Sequence, residues 1–126
     1  MTLLVWVGVV LLGGVGAVLR FLVDRSISGR LGRLFPYGTL VVNVSGAAAL
    51  GVISGLALGD TETLLAGTAT IGAYTTFSTW MFETQRLAED RQVLALGGNI
   101  VVSLVVGVAA AALGRRLGGL LRTRTA

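Results

Sequence analysis

The sequence predicts an all-α membrane protein built from four transmembrane helices. Three observations carry this. Of 126 residues, 54% are apolar and a further 19 are glycine. Only 13% are charged, about half of the ~25% typical of a soluble domain. The uncharged stretches fall at residues 1–19, 34–59, 63–82 and 92–114, and a bilayer-crossing helix needs about 20 apolar residues. What remains between them is too short for a soluble domain. A soluble enzyme, a nucleic-acid-binding module and a secreted disulfide scaffold are excluded.

Absent residue types narrow the chemistry. The chain has no Cys and no His. Thiolate or imidazole metal sites, haem ligation and Ser/His or Cys/His catalysis need one or the other. The six acidic residues all lie outside the uncharged stretches. The buried carboxylate pair of a proton-coupled pump is therefore missing. The net charge of +4 comes from arginine alone. These arginines sit in expected loops and the tail, where they meet lipid headgroups and bias topology rather than bind nucleic acid.

The expected helices are 3–22, 37–58, 63–85 and 93–113, forming a single four-helix domain over 1–126. The first has no positive flank before Arg20 and reads as a retained helix rather than a cleaved leader. Arg20 ends it. Pro36 precedes the second, where a missing N–H does no harm. Asp60 or Thr61 caps the third. The N-terminus, second loop and tail would share one side of the membrane with Arg115, Arg116, Arg122 and Arg124. The first and third loops would share the other with Arg25, Arg30, Arg33, Arg86 and Arg91. Four against five gives almost no orienting bias. Either the chain inserts both ways and pairs with an inverted copy, or the distal tail arginines do not count.

Gly51, Gly55 and Gly59 recur at every fourth position of the second helix, and Gly13, Gly14 and Gly16 crowd the first. Small faces let helices approach closely, because lipid supplies no hydrophobic drive between them. A tightly packed four-helix unit encloses little space, so a water-lined path forms more easily between subunits.

The third span carries the chemistry. Thr75, Thr76, Ser78 and Thr79 place four hydroxyls within five positions, after Gly72. Such side chains back-bond to helix carbonyls and bend the helix. A break here frees backbone groups at membrane depth, which is tolerated only inside protein or along a cavity. Freed carbonyls suit a hard cation. Phe77 and Trp80 share a helical face, and aromatic rings carry positive edges. Two edges along a narrow path favour an anion without trapping it, though core stacking is the commoner use of such a pair. Ser78 and Thr79 read as pore hydroxyls or as interhelical contacts. Asn43, and Asn99 with Ser103 four residues on, offer further buried donors or simple helix–helix bonds. Arg20 either snorkels to headgroups or draws anions into a vestibule.

Three segments together resemble the Fluc/CrcB family of fluoride-specific ion channels. They are Gly13 through Arg20, Tyr37 through Gly46 (with its Gly-Thr-Leu-x-x-Asn stretch), and Gly72 through Trp80 (with Thr-Thr-Phe-Ser-Thr). The resemblance covers essentially the whole chain. It implies an antiparallel, dual-topology dimer in the inner (plasma) membrane of a microbe, with two fluoride pathways and passive export of fluoride. It implies a structural, untransported sodium ion on backbone carbonyls of Gly72 and Thr75 from each chain. The fluoride path would use Asn43, Phe77, Ser78, Thr79 and Trp80, continue along Ser103, and start from a vestibule at Arg20. The family usually has Phe where this chain has Trp80. Tryptophan keeps a positive ring edge and adds an N–H donor, but its bulk can narrow the path. A chain altered there would suit a heterodimer of homologous subunits. A small dual-topology coupled exporter is the remaining alternative, and it needs a membrane-embedded Glu that residues 3–22 lack.

Overall fold

The computed structural model describes residues 2–125. Among them there are helices and short turns, and no strand. Helix α1 covers Leu3–Leu31 and α2 covers Tyr37–Leu56. The third span is composite. It runs through α3 (Asp60–Thr63), a π-helical stretch (Leu64–Ile71) and α4 (Gly72–Tyr74), breaks over residues 75–77, and resumes as α5 (Ser78–Glu89). Helix α6 covers Val93–Thr125.

The break in the third span appears where the hydroxyl cluster predicts it. Two outer helices run longer than their apolar stretches. Helix α1 was expected to stop at Leu22 but continues to Leu31, so Arg20 lies well inside it. Nothing between Phe21 and Leu31 breaks a helix, and Gly32 ends it with φ 80° while its N–H bonds Ser28 O at 2.9 Å. Only a residue without Cβ takes that conformation freely. Helix α6 was expected to end at Leu113, yet its 33 residues reach about 50 Å at 1.5 Å per residue. The hydrocarbon core is about 30 Å thick, so a helix of this length is long enough for its arginine-bearing end to extend beyond it. Helix α2 ends slightly early, at Leu56, with Ala57 in the left-handed region at φ 51°. Charge marks the edge of the membrane but does not stop a helix, which is why the apolar runs underestimate α1 and α6.

Three helices are long and apolar enough to cross a membrane: Leu3–Leu31, Tyr37–Leu56 and Val93–Arg124. The remaining segment, expected as a fourth span, is the interrupted one. Its π-helical stretch is built on Gly67 and β-branched Thr68 and Thr70, and the Thr70 hydroxyl bonds Leu65 O, five residues back, at 2.7 Å. The wide turn shifts the register of everything that follows it.

Glycine sets the packing. A Cβ at Gly51 would overlap Ala111 O, and one at Gly55 would overlap Arg115 O. The relation is reciprocal, since Gly114 sits on Ala48 O and Gly118 on Val52 O. Residue numbers rise together along both helices, so α2 and α6 run parallel with their backbones in contact. Such approaches bring Cα–H groups onto carbonyls, each worth perhaps ~0.5–1 kcal/mol. Gly8 faces Leu65 and Gly16 sits on Thr70 O, which makes α1 parallel to the third span. Gly38 sits against Asp24, while Gly16 and Gly46 both approach Tyr74, so α1 and α2 run antiparallel. Gly46 gives room for the Thr75 methyl at the break. The expected stripe therefore holds at Gly51 and Gly55, whereas Gly59 lies beyond α2 beside Glu62.

The fully buried apolar set is small, chiefly Val42, Ala69 and Leu87, while Leu3, Val10, Leu94, Val105 and Val108 are exposed. This is the distribution a lipid solvent demands. Replacing Gly51 or Gly114 with valine should destabilise the fold in detergent by about 1–3 kcal/mol, through overpacking a closed contact, and so lower the unfolding midpoint. Alanine at Gly14 or Gly107, where nothing lies within 4 Å of the added Cβ, should leave it unchanged. Thermal unfolding followed by tryptophan emission measures both.

Candidate functional site

The site is organised by the break. Thr75 turns extended, with φ −80° and ψ 161°. In an unbroken helix the Thr76 N–H would bond Gly72 O. Here it bonds Asn43 Oδ1 at 2.8 Å, and Asn43 Nδ2 donates to Thr76 O at 2.8 Å. One side-chain amide from α2 thus pairs with both backbone polar groups of Thr76. It also releases the Gly72 carbonyl from its ordinary donor. The same happens one step on. Thr79 N–H would bond Thr75 O, but it bonds the Thr76 hydroxyl at 3.2 Å. Thr75 O instead receives an Arg20 guanidinium N–H at 3.4 Å.

Two helix ends meet at this point. The C-terminal end of α4 presents carbonyl oxygen and the negative end of its dipole, and the N-terminal end of α5 presents N–H groups and the positive end. A cation fits the first and an anion the second. Among the described residues there is no cluster of three His, Cys, Asp or Glu. Any cation here would rest on backbone oxygen. The break interrupts the helical pairing of the carbonyls of residues 72–75, and among them Gly72 and Thr75 are hard donors of the kind sodium takes. They are too few in one chain to complete a shell.

Three clefts lie at or near the break. One, of about 460 Å³, runs past Asn43, Gly72, Thr75, Thr76, Phe77 and Trp80. A second, of about 240 Å³, brings Asn43, Trp80 and Ser103 together. A third, of about 200 Å³, lies on the other side and is lined by Arg20, Asp24, Thr39, Thr76 and Thr79. Arg20 is therefore beside the break rather than at the membrane edge. Phe77 and Trp80 make an edge contact, with centroids 5.8 Å apart and planes at 73°. Phe77 is 70% exposed, which leaves a large ring open to whatever fills the first cleft. Ser78 is exposed, with its hydroxyl 3.5 Å from that of Thr76. Thr79 faces the Arg20 cleft and not the Phe77–Trp80 face. Ser103 Oγ is buried without a hydrogen-bond partner.

Several contacts here are not apparent in the sequence. Thr76, one of the clustered hydroxyls, caps α5 and receives the Asn43 brace. Glu83 accepts the hydroxyl of Thr39, which is almost fully buried. Ser45 and Tyr74 pair through their hydroxyls at 2.9 Å. The Trp80 indole N–H points to Asn99 O at 3.4 Å. Except for Glu83, these are polar or aromatic residues inside apolar runs, which is the one signal in the sequence that could have drawn attention to them.

Asn43 therefore braces the backbone, and its removal has a structural consequence. Asn43→Leu leaves the Thr76 N–H and C=O unpaired, at about 1–3 kcal/mol for each buried group left unsatisfied. The Thr76 amide should then exchange hydrogen much faster, measured by exchange mass spectrometry on the peptide spanning 72–82.

The chain has relatives among known proteins. Residues 7–115 match the family model described as CrcB-like protein, Camphor Resistance (CrcB). The chain is 64% identical over 115 residues to a Mycobacterium tuberculosis protein named Fluoride-specific ion channel FluC 2, covering 91% of each chain. It is 62% identical over 120 residues to the Mycolicibacterium paratuberculosis protein of the same name, covering 95% of this chain and 98% of the relative. It is 42% identical over 125 residues to the Leifsonia xyli Fluoride-specific ion channel FluC 1, covering 95% and 90%. On the family match and these identities, the chain belongs to the CrcB family.

Proposed function

We propose that the chain is a fluoride-selective channel subunit, not an enzyme, and that it lets fluoride leave the cytoplasm passively across the plasma membrane. The observation that carries this reading is the helix break itself. It leaves the N-terminal end of α5 beside two clefts, one walled by Asn43 and the Phe77–Trp80 edge pair and the other by Arg20 and Thr79, with Ser78 exposed.

Fluoride is small and strongly hydrated, so it enters only where donors replace water. Hydroxyls, a helix N-terminus and ring edges do so without a full positive charge, and conduction needs contacts weak and multiple enough for release. Asn43 has a second amide hydrogen beyond the one given to Thr76, directed to the same region. The guanidinium of Arg20 raises the local anion concentration in its cleft. Fluoride that enters a cell as permeant HF ionises inside. A negative interior then drives the anion out with no coupling ion.

The working unit in this reading is a dimer with an inverted copy. The broad groove at Phe77 is open in one chain, and the near-even arginine split permits both orientations. The Gly72 and Thr75 carbonyls fit a structural sodium ion if two chains contribute them. Such an ion would neutralise the carbonyl dipoles gathered at the break, and it is not the transported species.

Purified chain alone in liposomes, under a potassium-diffusion potential, should release fluoride rapidly with little chloride release. Phe77→Leu, which removes the ring edge, should slow release by up to about tenfold, on the scale of an aromatic edge interaction. A fluoride electrode reads both. Silence from folded dimeric protein overturns the self-sufficient channel and points to a homologous partner chain.

A further inference from the structure

The bulky Trp80 raises the question of how an indole sits beside an anion path. Its N–H is a stronger donor than a ring edge. Exposed to the path, it would hold fluoride in a deep well and slow its departure. The structure gives that N–H another partner, Asn99 O on α6, at 3.4 Å. That distance is at the outer limit of a hydrogen bond, so a small shift between α5 and α6 is enough to lose it.

A side-chain clamp holds the two helices together at this level. Asn99 is fully buried. Its Nδ2 donates to the Thr84 hydroxyl at 2.9 Å, and that hydroxyl donates to Trp80 O at 2.8 Å. Asn99 therefore grips the Trp80 backbone through Thr84 and receives the Trp80 ring on its own carbonyl. The ring it orients lines the cleft shared by Asn43 and Ser103 and meets Phe77 edge-on.

We propose that Asn99 is a positioning residue for Trp80: by clamping Thr84, it parks the indole N–H away from the fluoride path so that only the ring edge faces the ion. The inference rests on the fluoride-channel reading. It assigns the amide a purpose that depends on the indole. A ring without an N–H has nothing to park.

The test is a double-mutant cycle in liposomes, with Trp6→Phe as the common background so that Trp80 is the sole indole. Asn99→Leu should lower fluoride release by roughly tenfold or more, the scale on which misplacing a working group acts, and should make release saturate at lower fluoride. Added to Trp80→Phe, the same change should alter that chain's release by less than about twofold, the non-additivity expected of a coupled pair. Thr84→Val, which keeps the side-chain shape, should repeat the pattern if Asn99→Leu folds poorly. Indole anisotropy should fall in Asn99→Leu and in Thr84→Val, each retaining Trp80. Equal losses with and without the indole, or unchanged anisotropy, overturn the proposal. If no chain releases fluoride, the channel reading falls, and anisotropy still decides the positioning.

Discussion

A helix interrupted inside an apolar run must find partners for its freed peptide groups, and the chain meets this with one side chain. The Asn43 amide pairs with both backbone polar groups of Thr76. Everything else at the break follows from that pairing. Thr76 becomes free to cap α5, the Gly72 carbonyl loses its helical donor, and Thr75 O turns to Arg20. Lipid contains no water to repair any of these groups, so the arrangement is specified by sequence or it does not form.

Close packing makes the brace possible. Asn43 reaches the break because Gly46, one turn further along α2, lets the Thr75 methyl lie against the helix backbone. Helix α2 is itself fixed by its parallel glycine contact with α6. Helix α1 is held to the third span at Gly16, which brings Arg20 to the Thr75 carbonyl. The glycines act at a distance from the polar residues and still determine where those residues meet.

Much of this is legible in the sequence. The four apolar runs give the helices, and the cluster from Thr75 to Thr79 marks the break. Asn43, Phe77 and Trp80 are marked by polarity and aromaticity inside apolar stretches. The rest depends on geometry that composition does not encode. The lengths of α1 and α6 were hidden because arginine and serine continue a helix as readily as they leave a membrane. The separation of Thr79 from the Phe77–Trp80 face depends on how α5 resumes after the break. The Trp80–Asn99 bond joins residues on different helices, and nothing in either local stretch announces it. The sequence reading treated the indole N–H as a donor for the ion, whereas the structure engages it on Asn99 O.

The central claim is that the helix ends meeting at residues 75–77 form a path that passes fluoride and excludes other ions. Reversal potential tests it most directly. The purified chain is placed in a planar bilayer with a fluoride gradient, chloride and cations being varied independently. The account predicts current that reverses at the fluoride equilibrium potential whatever the chloride or cation gradient. Reversal that follows chloride or a cation would contradict it.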